Sequence, residues 1–201
     1  MLRLTHTLLA AGALITVVPS AAHAQDKPSP TSVSVSGDGP ETIVLLSGLV
    51  GGVAGYRRLE ARLVAKHQRV VIIDPYLLSI DSTDVSFAAQ ARRVDRVLDS
   101  IGVADANVVG HAHGAGANEP EPLAAVIARV RAPVTVLLGG APHTAGPVDG
   151  ELSALETLGD LLRVETMAGV GHYPHEEAPD EVARHLLAGR REVVAAPGGA
   201  R

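Results

Sequence analysis

The segment Gly110-His111-Ala112-His113-Gly114 has residue types and spacing suited to a catalytic turn. Two glycines separated by three residues permit a turn from strand to helix so tight that larger side chains would collide there. The central residue of such a turn is held in a strained backbone conformation that aims its side chain at a substrate. That residue is Ala112, and a methyl group cannot attack a carbonyl carbon. The same spacing also fits a turn without any chemical role.

Two further loops could complete a site around this turn. Residues 44–52 could bring the backbone N–H of Leu49 or Val50 to the turn, where it and the N–H of His113 would bind an oxyanion. Residues 169–186 carry His172 in a glycine-bearing loop, followed by acids, a proline and an amphipathic stretch.

Three motifs give this sequence a family resemblance. From residue 41 to about residue 187 it resembles the α/β-hydrolase superfamily, particularly small secreted bacterial esterase-like members. TIVLLSGLVGG (42–52) is similar to the oxyanion loop, GHAHGA (110–115) to the GHSxGG nucleophile turn, and GHYPHEEAPDEV (171–182) to the segment of the triad histidine. The resemblance implies an α/β fold with a mostly parallel sheet flanked by helices. It also implies a small ester or acyl ligand, no cofactor, His172 as triad histidine, and Leu49 and His113 as oxyanion donors.

The sequence departs from that family pattern at the nucleophile and at the acid. Ala112 stands at the nucleophile position, and loss of a triad nucleophile typically leaves only about 10³–10⁴-fold acceleration over water. The family pattern G-x-x-D reads Gly139-Gly140-Ala141-Pro142 here. Asp149, farther along the same loop, is a weak acid candidate that we interpret rather as a helix N-cap. Ser47 stands where a histidine is usual and is expected to bond locally in its turn.

The chain is also short after the nucleophile turn. The prolines of EPEP (119–122) end the helix that should follow, because each removes a donor and clashes with the preceding turn. One strand, one helix and any cap domain are therefore expected to be absent. Without a cap, the site would lack a cover that excludes water.

Histidine chemistry is the alternative to a serine nucleophile. His111 or His113, together with His143 and His172, could bind zinc and hold a reactive water. The spacings of common zinc motifs are absent, and side chains flanking such a turn tend to point apart, so we expect no metal. His175 beside two glutamates is interpreted as a surface ion pair, and His185 as a solvated helix residue.

Three functions therefore stay open. They are an impaired or inactive ester hydrolase, an active hydrolase that uses metal-bound or histidine-activated water, and a non-catalytic acyl-ligand-binding pseudoenzyme. An engineered serine-to-alanine change would explain Ala112 but would not explain the short segment that follows it.

Alternating strands and helices must position these residues. Buried apolar runs separated by amphipathic stretches predict a mostly parallel sheet with crossover helices. The strands are predicted at 32–36, 42–46, 69–74, 107–110, 134–138 and 164–167, and the helices at 56–66, 87–101, 123–131, 151–162 and 180–187. Asp74, before Pro75, is expected to be a turn residue at the end of its strand.

The first 24 residues have the pattern of a secretory leader. A single arginine, a short apolar run and an Ala-x-Ala exit predict cleavage near Ala24 and a secreted or periplasmic protein. A linker and possible edge strand (25–36), one domain (37–188) and a flexible tail (189–201) should follow. The net charge of −5 and 2% aromatic content argue against nucleic-acid binding. No run is long enough for a membrane span.

Overall fold

The computed structural model describes residues 3–9, 32–48, 51–79, 83–84, 86–111, 123–143 and 150–195. Seven strands in this part of the chain form one sheet: β1 (Arg3–Leu9), β2 (Val33–Ser36), β3 (Glu41–Leu46), β4 (Gln68–Ile73), β5 (Asp105–His111), β6 (Val134–Gly139) and β7 (Leu162–Met167). Their order across the sheet is β2-β4-β3-β5-β1-β6-β7. The edge strand β2 runs antiparallel to β4, and the other pairs are parallel. The mostly parallel sheet is thus confirmed.

Helices cover both faces of the sheet. The described helices are α1 (Arg57–Val64), α2 (Phe87–Ser100), α3 (Leu123–Ile127), α4 (Glu151–Glu156), α5 (Pro174–Glu177) and α6 (Pro179–Ala195). Side chains of α1 and α6 share one core cluster with alternate residues of β3 and β4. Side chains of α2 pack with the intervening strand residues on the opposite face. This arrangement confirms the predicted α/β class.

The burial of β3 shows why apolar runs become central strands. Ile43 and Leu45 face α1 and α6, whereas Val44 between them faces α2, and all three are fully buried. A strand covered on both faces must be apolar at every position, because successive side chains point to opposite sides. Each such side chain stabilises the fold by about 1.5–3 kcal/mol relative to exposure.

Local signals set the helix ends. The Ser86 hydroxyl accepts the Ala89 N–H at the start of α2, and Gly102, in the left-handed region at φ 68°, follows its end. The helix predicted over 151–162 stops at Glu156, and Gly159, also left-handed, begins a short 3₁₀ turn. By contrast α6 continues to Ala195, well beyond the predicted 180–187.

Strand β1 lies within the predicted leader. It pairs with β5 from Arg3 opposite Asp105 to Leu9 opposite His111, and with β6 around residues 6–8. The sequence predicted that the strand after the nucleophile turn is missing, and the structure gives the place between β5 and β6 to β1. Leader removal stays a prediction, and it would take β1 out of the sheet.

Hydropathy was the basis for expecting no membrane span. In the described ranges, none of the helices is both long enough and apolar enough to cross a bilayer. The segment 112–122, where the sequence predicts the shortening, lies outside the described residues.

Candidate functional site

Three of the predicted site histidines meet at the carboxyl edge of the sheet. His111 ends β5, His143 follows β6, and His172 follows β7. The ring centroids of His111 and His172 are 5.1 Å apart, and those of His143 and His172 are 6.1 Å apart. Parallel strands bring their carboxyl ends to one edge, so this convergence follows from the topology. Four predicted site residues lie outside the described part of the chain: Leu49, Ala112, His113 and Asp149.

His111 connects the nucleophile turn to the histidine segment. Its ring Nε2 lies 2.7 Å from the carbonyl oxygen of His172. Since a carbonyl can only accept, Nε2 carries the proton and donates it. Burial lowers the pKa of His111 to about 4, so the ring is neutral at pH 7. The residue immediately before position 112 is therefore fixed to the backbone of His172.

Glu177 binds the backbone of the two residues that flank His172. One carboxylate oxygen accepts the N–H of Gly171 at 2.7 Å, and the other accepts the N–H of Tyr173 at 3.0 Å. These two backbone bonds keep the pKa of Glu177 below its usual range. In the sequence Glu177 is one of several acids after His172, and its spacing alone does not indicate this contact.

The interpretation of His175 as a surface residue is wrong. It was expected in a surface ion pair, but it is fully buried and stacks on Tyr56 with ring centroids 4.3 Å apart. Its Nε2 is 3.8 Å from the nearer Glu176 oxygen, too far for a hydrogen bond, and neither ring nitrogen has a hydrogen-bond partner among the described residues. Burial lowers its pKa to about 3, with smaller contributions from His111 and His172.

Tyr56 connects the end of β3 to His175. Its hydroxyl donates to the carbonyl of Leu46, the last residue of β3, at 3.0 Å. Burial raises the pKa of Tyr56 well above its ordinary value, with Glu176 adding to the effect. The ring stacks on His175, which in turn lies edge-on to His111 at 4.5 Å. Thus the start of the predicted oxyanion loop, α5 and the end of β5 pack together.

The end of β6 packs directly against the histidine segment. A Cβ at Gly139 would lie 2.2 Å from the carbonyl oxygen of Gly171, so only glycine fits there. The Ala141 N–H donates to the carbonyl oxygen of Val170 at 2.9 Å. These contacts hold the segment containing Pro142, where the family resemblance places the acid, beside the His172 loop. The position is occupied, but by a residue without a carboxylate.

Several other sequence expectations can be placed. Asp74 accepts the N–H groups of Tyr76 and Leu77 at 3.0 and 2.9 Å, which confirms it as a turn residue. Gly150, not Asp149, occupies the N-cap position of α4, so the predicted cap is displaced by one residue.

Ser47 and His185 differ from their sequence interpretations. The buried Oγ of Ser47 has no hydrogen-bond partner among the described residues, so the expected local bond is not seen there. His185 was expected to be solvated, but its Nδ1 lies 2.7 Å from a Glu165 oxygen.

The metal alternative finds little support in the described histidines. Within the described ranges, no group of three or more histidine, aspartate or glutamate side chains could hold a metal ion. Nε2 of His111 and Nδ1 of His143 each bond to a backbone carbonyl. Because His113 is outside the described residues, the four-histidine alternative stays a prediction.

Comparison with known proteins supports the fold. MGS-MChE2, an α/β hydrolase enzyme from lagoon sediments of Mar Chica, Morocco, aligns over 80% of this chain and 94% of its own, with a TM-score of 0.66 and 16% identity. The epoxide hydrolase VrEH1 from Vigna radiata aligns over 80% of this chain and 93% of its own, with a TM-score of 0.60 and 13% identity.

The sequence relationship is narrower. Over 79 residues, the chain is 38% identical to a protein assigned as carbamate hydrolase RutD from Azorhizobium caulinodans, and the match covers 38% of this chain but 30% of that relative. No protein-family model matches the chain. The chain has the α/β-hydrolase fold, and over part of its length its sequence is similar to that hydrolase relative.

Proposed function

We propose that this chain binds a small ester or acyl ligand at the carboxyl edge of its sheet and hydrolyses it poorly or not at all. The observation that carries the proposal is the 2.7 Å hydrogen bond from His111 to the His172 carbonyl. Because His111 directly precedes Ala112, this bond ties position 112 to the histidine segment. His111, which is bonded to the His172 segment, is thus followed in the chain by a residue without a hydroxyl.

The hydrolysis steps that Ala112 cannot carry out are those of a serine at the same position. A serine at position 112 would attack the acyl carbon while the His172 imidazole takes its proton and later gives it to the leaving alkoxide. Backbone N–H groups of Leu49 and His113 would bind the oxyanion. With Ala112, no covalent bond can form, so an acyl ligand can occupy the site without turnover.

Kinetics on p-nitrophenyl acetate test this proposal. In a well-studied serine protease, loss of the nucleophile costs about 2 × 10⁶ in kcat and loss of the acid alone about 3 × 10⁴. Serine restored without an acid should therefore give about 10²-fold more turnover. The Ala112→Ser variant is compared with Ala112→Gly, which changes the same position without adding a hydroxyl, after circular dichroism shows that both are folded.

The histidine assignment has its own arm in this experiment. Addition of His172→Ala to Ala112→Ser should return the rate to that of the parent chain. If folded Ala112→Ser is no faster than Ala112→Gly, the site is not a hydrolase site lacking only its nucleophile. Parent activity that a chelator abolishes would favour metal-bound water instead. Chelator-resistant parent activity that His172→Ala abolishes would favour histidine-activated water.

We also propose that the protein is exported and cleaved near Ala24. The charged start, apolar run and small-residue exit within residues 1–24 support this. The mass of the protein recovered from the bacterial periplasm or medium tests it. A mass that begins at Gln25 is expected, and a full-length mass would contradict cleavage.

A further inference from the structure

A single carboxylate bridges the backbone on both sides of His172. Gly171 and Tyr173 each donate an N–H to a different oxygen of Glu177, at 2.7 and 3.0 Å. The carbonyl of His172 itself accepts a hydrogen bond from His111 Nε2 at 2.7 Å. Each of the three consecutive residues 171–173 therefore has a backbone group bound by a side chain from outside these three residues.

The short helix α5 places this carboxylate. Its first turn is formed by the N–H groups of Glu176 and Glu177, which both donate to the Tyr173 carbonyl at 2.9 Å. Pro174 at the helix start fixes φ and needs no N–H partner. The Glu177 side chain then reaches back over Gly171, where a Cβ would lie only 3.1 Å from each of its oxygens. Glycine at 171 and glutamate at 177 thus fit each other.

We propose that Glu177 is a positioning residue that holds the backbone of His172 so that its imidazole stays beside the end of β5. This inference rests on the proposed function, because it gives Glu177 a role through His172. Glu177 does not touch a reacting atom. It acts as a bidentate acceptor for two backbone N–H groups.

The exposure of Glu177 distinguishes positioning from general stabilisation. Its side chain lies at the surface and adds no apolar contact to the core clusters. Exposed polar contacts contribute little to global stability, so its loss should loosen the segment without unfolding the domain. The neighbouring Glu176 offers a matched control, since it has the same charge and the same helix but bonds to neither N–H group.

Amide hydrogen exchange and kinetics test the inference together. In the parent chain, Glu177→Ala should speed exchange at Gly171 and Tyr173 at least about tenfold, because both N–H groups lose their acceptor. Glu177→Gln should be intermediate, since its one carbonyl oxygen can replace only one carboxylate oxygen. Glu176→Ala should leave exchange at both sites within about twofold of the parent.

The kinetic arm uses Ala112→Ser as background. There Glu177→Ala should lower kcat about tenfold or more with little change in KM, and Glu177→Gln should recover part of the loss. Unchanged exchange in Glu177→Ala, or an equal change in Glu176→Ala, overturns the positioning role whatever the activity. Faster exchange with unchanged kcat overturns it too, because the backbone contact would then not matter to His172. If Ala112→Ser itself shows no turnover, the proposed function fails. The positioning role is then tested by the His172 imidazole resonances, which must move in Glu177→Ala but not in Glu176→Ala.

Discussion

Acid should destabilise this protein in a way that depends on its buried histidines. His175 and His111 have pKa values of about 3 and about 4 in the folded chain, both lowered first by burial. In the unfolded chain each titrates near 6.5, so the unfolded state binds more protons below that pH. Stability is therefore full above pH 6.5 and is lost as the pH falls toward the folded values. At pH 5 each of the two histidines should lower the free energy of unfolding by about 2 kcal/mol.

The His175→Phe variant isolates one of these groups. Phenylalanine can keep the stack on Tyr56, which is 4.3 Å from the His175 ring, but cannot take up a proton. Urea unfolding at pH 7 and pH 5 gives the change in unfolding free energy for each variant. The drop between the two pH values should be about 2 kcal/mol smaller in His175→Phe than in the parent. Because both rings stay mostly neutral in the folded chain at pH 5, the effects of His111 and His175 should nearly add.

An exposed histidine supplies the control for this comparison. His67 lies on the surface in the left-handed region, at φ 56°, where asparagine is well tolerated. The His67→Asn variant is carried through the same urea titrations as a histidine replacement at the surface. The drop in unfolding free energy between pH 7 and pH 5 is compared between His175→Phe and the parent. If the two drops differ by less than about 0.5 kcal/mol, the reasoning is refuted, because a buried neutral histidine must resist protonation.

Three further outcomes are expected. Tyr56→Phe leaves the carbonyl at the end of β3 without its donor and should lower the unfolding free energy by about 1–3 kcal/mol in urea titrations; no loss would mean that the bond is not made in solution. Deletion of residues 1–24 removes β1, which pairs with β5 over seven residues and also with β6, so Tm should fall by more than the roughly 4–8 °C expected for a loss of about 2 kcal/mol; an unchanged Tm in a thermal scan would show that the sheet does not depend on β1. Pro142→Asp added to Ala112→Ser should raise kcat/KM at least about tenfold and raise the pKa of His172, measured by NMR, because a carboxylate favours the imidazolium; no change in either would place the acid elsewhere.

The fold could be predicted from apolar runs because a parallel strand covered on both faces must have an apolar residue at nearly every position. Residues 42–46 became β3 with one residue added, and Asn107-Val108-Val109-Gly110 lies within the longer β5. Helix ends were less certain where several residues could serve as the stop, as at Glu156 and Ala195. Strand β1 could not be expected, because its composition equally suits a leader that is removed.

The site was predictable where a residue follows a strand, and not where packing decides. His111, His143 and His172 all follow from strand ends that meet at one sheet edge. His175 was misplaced because its acidic neighbours suggested a surface, and a helix of four residues has no periodicity to show an inward face. The role of Glu177 depends on the direction in which its side chain turns, which spacing alone does not give.

The most direct test is covalent labelling of Ala112→Ser with an alkyl fluorophosphonate, followed by intact mass measurement. The serine oxygen would form a bond to phosphorus as fluoride leaves, provided that His172 can take the serine proton. We expect one adduct at position 112, absent from the parent chain and from the double variant with His172→Ala. A folded Ala112→Ser variant that gains no adduct would contradict a hydrolase site at this edge of the sheet.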